Sequence, residues 1–149
     1  MKLIHALQDN SDPNSLVSRF RRARSRRIVS LIEKISAERG QVRIIDLGGE
    51  ASYWHLFDID LLKTCKVHIT LVNPGGVDDV WHDDLFTVVD GDATDLPHYA
   101  DNSFDLVHSN SVIEHVGDWV TMEAFARECR RLAPRYYVQT PYFWFPVEP

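Results

Sequence analysis

Four short stretches hold residues whose types and spacing suit ligand chemistry. The first is Ile45-Asp46-Leu47-Gly48-Gly49-Glu50, an apolar run that ends in an acid and two glycines. Glycine has no Cβ, so the backbone there turns sharply and comes close to a ligand. The second is Asn73-Pro74-Gly75-Gly76, an amide side chain entering a turn. The third is Asp90-Gly91-Asp92-Ala93-Thr94, and the fourth runs from Ser109-Asn110-Ser111 to Glu114-His115. Carboxylates accept hydrogen bonds from hydroxyl and amino groups, and an Asn amide both accepts and donates. That chemistry holds a nucleotide-like molecule. It is poor chemistry for a pyrophosphate. The dinucleotide pattern G-x-G-x-x-G needs a third glycine, and this chain reads Gly48-Gly49-Glu50-Ala51-Ser52. Glu50 would also put negative charge where an anion needs free helix N-terminal amides. The phosphate loop G-x-x-x-x-G-K-[ST] is absent as well. A neutral or cationic ligand suits the loop better. The seven histidines show no zinc-ligand spacing, so no metal is expected.

Each stretch needs an element to position it. Val42, Ile44 and Ile45 are β-branched, and a short run of that kind suits a strand buried on both faces. It predicts strand one over about residues 41–47. Strand two follows at 66–72, strand three at 86–89, strand four at 104–108 and strand five at 135–139. Apolar residues at helical spacing predict helices over about 13–39, 52–63 and 118–132. Asp12-Pro13 reads as the start of the first helix, which allows a bend near Ser25. Gly40 stops it, and Pro134 stops the last. Residues 109–117 read as a loop with a short helix, and 77–85 hold one helical turn at most. Strands alternating with helices imply a mostly parallel sheet with right-handed crossovers. In such a sheet ligands bind at the carboxyl ends of the strands, and all four stretches lie there.

A chain of 149 residues suits one domain with a real core. No apolar run approaches the ~20 residues that span a membrane, and the N-terminus carries no secretory pattern. Cys65 and Cys129 lie far apart without metal-type spacing, which reads as buried, reduced thiols in a cytoplasmic protein. The net charge of −6 is unevenly spread. Ten Lys/Arg stand against four Asp/Glu up to Arg43, and six against eighteen after it. Arg19, Arg21, Arg22, Arg24, Arg26 and Arg27 concentrate the positive charge. A solvated helix face paired with the acidic body is preferred over an anion footprint, because no interleaved aromatics support nucleic acid.

Four of these motifs in register give the sequence a resemblance to a family. Ile45-Asp46-Leu47-Gly48-Gly49, the Asn73 turn, Gly91–Pro97 and Ser103–Val116 resemble the successive motifs of class I S-adenosylmethionine-dependent methyltransferases, over roughly residues 40–140. The double glycine with Trp54 nearby, and Val138-Gln139-Thr140-Pro141, look like a small bacterial-type subgroup. The resemblance implies a Rossmann-like α/β fold, a sheet in the order 3-2-1-4-5 and helices on both faces. It implies a cofactor-binding domain over 41–149, on which the basic N-terminal helix read over 1–40 would pack. The family's further C-terminal strands would be missing, leaving strand five an edge open to self-association.

The implied cofactor is S-adenosylmethionine. Asp46, Leu47, Gly48 and Gly49 would hold its methionine part, with Asp46 supporting the loop directly or through water to the ammonium. Ser109 and Asn110 would line the same end. Asn73 would bind the ribose, where the family usually has an acid. Asp92 and Ala93 would meet the adenine. His115 is the candidate catalytic base, with Tyr142, Phe143 and Trp144 near the acceptor wall. No Asn/Asp-Pro-Pro-Tyr follows strand four, so the role of that signature is not carried over to Thr140-Pro141-Tyr142. The expected activity is methyl transfer to an unidentified acceptor, a small molecule being favoured over nucleic acid. The alternative is a non-catalytic cofactor-binding or scaffold protein with the same fold.

Overall fold

A computed structural model of the chain describes residues 16–54, 56–76 and 84–140, with side chains from Ser25 onward. Helix α1 is Leu16–Arg39, and strand β1 is Val42–Leu47. Two short helices follow, α2 at Ala51–Trp54 and α3 at Ile59–Thr64. Strands β2 (Val67–Asn73), β3 (Phe86–Asp90) and β4 (Leu106–Asn110) come next. A single 3₁₀ turn at Ile113–His115 leads to helix α4, Trp119–Leu132, and to strand β5, Tyr136–Gln139. The five strands form one sheet in the order β3-β2-β1-β4-β5, with every neighbouring pair parallel. This is the Rossmann-like arrangement read from the sequence.

Helices cover both faces, and alternation along the strands supplies each core. On one face Val42, Ile44, Ile69, Leu71 and Leu106 pack with Trp54 and Leu62. Ile28, Ile32 and Ile35 of α1 close that core, one helical turn apart. On the other face Ile45, Leu47, Val72 and Val107 meet Phe125, Cys129 and Leu132 of α4. Burying a side chain of this kind contributes roughly 1.5–3 kcal/mol, so these two layers hold the strand ends in place.

Several boundaries differ from the sequence reading. The helix expected over 52–63 is two helices. Asp58 starts the second by accepting from the N–H groups of Asp60 (3.0 Å) and Leu61 (3.3 Å). Trp54, Phe57, Leu61 and Leu62 keep helical spacing across the break, so periodicity hides it. Strand β4 starts and ends two residues later than expected. Phe104 sends its N–H to Leu132 O, and the Asp105 carboxylate accepts the Arg43 N–H at 2.8 Å. Both residues therefore serve the turn, and Ser109 and Asn110 join the ladder opposite Val138 and Gln139. Strand β2 runs through Asn73, which pairs with Asp90. The Asp12-Pro13 start, most of the 77–85 segment, and Tyr142, Phe143 and Trp144 lie outside the described residues, as do the side chains of Arg19, Arg21, Arg22 and Arg24. Arg26 and Arg27 are exposed on α1.

Candidate functional site

The carboxyl end of β1 runs straight into the two glycines, and both are demanded by their surroundings. Gly48 has φ +72°, and a Cβ there would stand 2.5 Å from Val112 Cγ2. A Cβ on Gly49 would stand 2.0 Å from Asp46 Oδ2. No side chain fits either place, so the backbone turns tightly over the Asp46 carboxylate. The Gly48 N–H donates to Val72 O at 2.8 Å, tying the loop to β2.

Asp46 is fully buried. Its Oδ2 accepts the Trp54 Nε1–H at 2.7 Å, and its Oδ1 lies 2.7 Å from His108 Nδ1. A carboxylate oxygen accepts, so the tautomer with the proton on Nδ1 is the one assigned to this pair. Both carboxylate oxygens thus meet protein donors. Asp46 supports the loop from beneath, and its burial leaves no direct line to a ligand ammonium. Leu47 is also buried, and its carbonyl accepts from Ser109 Oγ at 2.9 Å. The Ser109 side chain therefore joins β4 to β1.

Asn73 closes the loop from the β2 side. Its Nδ2 donates to Gly49 O at 2.7 Å. Its own carbonyl accepts from the N–H groups of Gly76 (3.1 Å) and Gly91 (3.2 Å), which binds the loops after β2 and β3 together. Among the described residues no donor meets Asn73 Oδ1. After β3, Asp92 is exposed, and its Oδ1 accepts from the N–H and hydroxyl of Thr94 at 2.8 and 2.7 Å. This Asx turn holds the carboxylate at the strand end and leaves the second oxygen outward. Ala93 packs on the core beneath.

At the end of β4 Asn110 is half-buried, and Ser111 after it takes φ +57° while its N–H donates to Gln139 O at 2.9 Å. His115 is exposed at the end of the 3₁₀ turn. Glu114 accepts from Thr140 Oγ1 at 3.3 Å, and its other oxygen is buried without a hydrogen bond among the described residues.

The structure thus brings Asp46, Leu47, Gly48, Gly49, Asn73 and Ser109 into one hydrogen-bonded unit. Asp92 and Ala93 join it through Gly91, whose N–H donates to Asn73 O, and His115 lies exposed on the turn after β4. Sequence reasoning missed His108 and Val112 and gave Trp54 no bonding role. A histidine following the apolar pair Leu106-Val107 within a central strand was the available signal, because a buried imidazole needs a partner. Among the described residues, no group of three or more His, Cys, Asp or Glu is placed to share a metal ion. The site holds and orients. Its polar groups are backbone, amide and carboxylate atoms on rigid strand ends.

Residues 58–135 match the family model described as a methyltransferase domain. That span holds Asn73, Asp92, Ala93, Ser109, Asn110 and His115, and begins after the glycine loop. No curated protein matches the chain. It is similar to a solved structure from Methanococcus maripaludis described as an S-adenosyl-L-methionine-dependent methyltransferase. The identity is 19% and the TM-score 0.48, over 74% of this chain and 53% of that one. A methyltransferase from an antibiotic biosynthesis pathway of Anabaena variabilis has 18% identity and TM-score 0.47, over 70% and 41%. A SAM-dependent methyltransferase from Aquifex aeolicus has 17% identity and TM-score 0.41, over 68% and 57%. The chain spans about half the length of these structures.

Proposed function

The chain belongs to the methyltransferase-domain family, and from that premise we propose that it binds S-adenosylmethionine at the carboxyl ends of β1 to β4 and transfers the methyl group to a small-molecule acceptor. The observation that carries the reading is the Gly48-Gly49 turn, packed onto Asp46 and clipped by Asn73. It exposes backbone at a place where no side chain fits. The residues present suit the cofactor. The loop Asp46–Gly49, with Ser109 and Asn110, forms the methionine end. Asn73 Oδ1 accepts from a ribose hydroxyl, and Asp92 accepts from the adenine amino group beside the Ala93 N–H. When bound, S-adenosylmethionine would supply an electrophilic methyl group on a sulfonium.

The protein's own part is alignment and exclusion of water. Where the acceptor carries a proton on its attacking atom, His115 takes it, from the turn after β4. His115→Gln is then expected to lower turnover about 10²-fold with cofactor affinity unchanged, which single-turnover assays and calorimetry would read. Calorimetry with S-adenosylmethionine and S-adenosylhomocysteine tests the core of the reading. Folded protein that binds neither would sink it. Because the chain spans about half the length of the solved structures above, binding without turnover over a broad acceptor panel would favour a cofactor-binding scaffold instead.

Two free, buried cysteines support a cytoplasmic location. Among the described residues no helix is long and apolar enough to cross a membrane. Self-association would use β5, whose Tyr136 and Val138 are exposed and whose pairing among the described residues is with β4 alone.

A further inference from the structure

We propose that His108 is a positioning residue for the cofactor loop, acting through Asp46 from beneath Gly49. The inference rests on the cofactor reading above and adds a residue to it. His108 and Asp46 are register partners on adjacent parallel strands, so their side chains leave the sheet side by side on the same face. His108 is 1% exposed. Its ring is bounded by Tyr53 at 4.8 Å, Trp54 at 5.0 Å and Tyr137 at 5.9 Å between centroids, the last nearly parallel at 7°. Packed rings fix the imidazole plane and so the direction of Nδ1.

The consequence passes upward through contacts. Nδ1 holds Asp46 Oδ1 at 2.7 Å while Trp54 Nε1 holds Oδ2 at 2.7 Å. With a donor on each oxygen the carboxylate cannot swivel. Gly49 lies directly over it, close enough that its missing Cβ would overlap Oδ2. The Gly49 carbonyl in turn takes the Asn73 amide. A contiguous path therefore runs from His108 through Asp46 and Gly49 to Asn73. Releasing the imidazole end frees the carboxylate to rotate, and rotation shifts the backbone that the ligand meets.

His108 also carries a cost that packing alone would avoid. Its Nε2 is buried with no hydrogen-bond partner among the described residues. A leucine would fill the same aromatic surroundings without an orphaned polar atom. The Nδ1–H bond to Asp46 is the feature an aliphatic residue lacks.

Two variants separate positioning from bulk stability. His108→Leu removes the donor and keeps most of the volume. His108→Asn keeps an N–H donor at the same number of bonds from the backbone as Nδ1, but leaves a void. Each is assayed by thermal melting and by calorimetry with S-adenosylhomocysteine. The expected result is affinity at least tenfold weaker in His108→Leu and within about threefold of wild type in His108→Asn, although the void makes His108→Asn the lower-melting of the two. Affinity unchanged in His108→Leu, or affinity that follows melting temperature across both variants, would overturn the inference. Should His108→Leu not fold, Trp54→Phe serves, since it removes the other donor to Asp46 and keeps an aromatic ring. A fivefold loss is expected there, and none would again overturn the proposal. Wild-type protein that binds neither S-adenosylmethionine nor S-adenosylhomocysteine would instead defeat the cofactor reading itself.

Discussion

Asn73 uses both ends of one amide. Its –NH₂ clips Gly49 O, and its oxygen, which meets no donor among the described residues, is the acceptor we propose for a ligand hydroxyl. An aspartate, the more usual residue at this place in the family the sequence resembles, would turn a carboxylate toward the Gly49 carbonyl. Asn73→Asp is therefore expected to destabilise the protein by about 1–3 kcal/mol and to weaken cofactor binding rather than improve it, as urea unfolding and calorimetry would show. Gly49 is the other residue with no alternative. In Gly49→Ala the new methyl must displace the Asp46 carboxylate from its two donors, a loss of more than about 2 kcal/mol with cofactor binding abolished. Cys129 illustrates the opposite case, a reactive atom made inert. Burial pushes its thiol up to about 12, with the neighbouring Glu128 carboxylate adding to the rise. Iodoacetamide at pH 8 should leave Cys129 unlabelled in the folded protein and label it in guanidinium, which peptide mass spectrometry would read.

At the scale of elements, α4 does more than cover the sheet. Arg131 donates through Nε and Nη2 to the two Glu128 oxygens, both at 2.7 Å, and through its terminal nitrogens to the carbonyls of Tyr99 and Leu96. Glu128 also accepts the Leu96 N–H at 3.1 Å. This clamp fixes the loop that follows Asp92 and Ala93, so a helix on the far side of the sheet holds part of the candidate adenine end. The hydrogen-bonded Arg131 guanidinium holds the Glu128 carboxyl below the usual glutamate range. A carboxyl lowered in the folded state stabilises above its unfolded value and loses that contribution as pH falls through the folded one. Glu128→Gln is expected to cost about 1 kcal/mol at pH 7, Arg131 being partly solvent-screened. The gap from wild type should shrink below the ordinary glutamate value of about 4.3. Urea unfolding at pH 7 and pH 3.5 would measure it.

For the whole molecule, Asp105 is the joint between layers. It is buried, accepts the Arg43 N–H, and pairs with Arg39 Nη1 at 3.1 Å and Arg43 Nε at 3.6 Å. One carboxylate thus ties the end of α1 and the start of β1 to the turn before β4. Asp105→Ala should cost about 2 kcal/mol, because the Arg43 N–H loses its acceptor and two guanidinium groups lose their partner. For a chain of this size that lowers the melting temperature by roughly 4–8 °C, which circular dichroism would follow.

The sequence by itself determined the α/β class, the five strands, the long first and last helices, and the four strand ends where polar residues gather. Local chemistry is enough for these. β-branched runs are legible as buried strands, Ile28, Ile32 and Ile35 as one helix face, and Gly48-Gly49 as a turn. Tertiary structure alone decided what those residues touch. Asp46 reads as the acid that supports the glycine loop, and the fold supplies Trp54 and His108 as the side chains that hold it. The Ser109 side chain, given no role of its own by the sequence, ties β4 to Leu47 O. The Asp58 cap and the late start of β4 were hidden because hydrophobic spacing continues through both. The physical reason is the parallel topology. Neighbouring strands are joined by long crossovers, so Asp46 meets His108, Leu47 meets Ser109 and Arg43 meets Asp105, each across 62 residues. Periodicity reports which face a residue takes, and carries no record of which distant strand lies beside it.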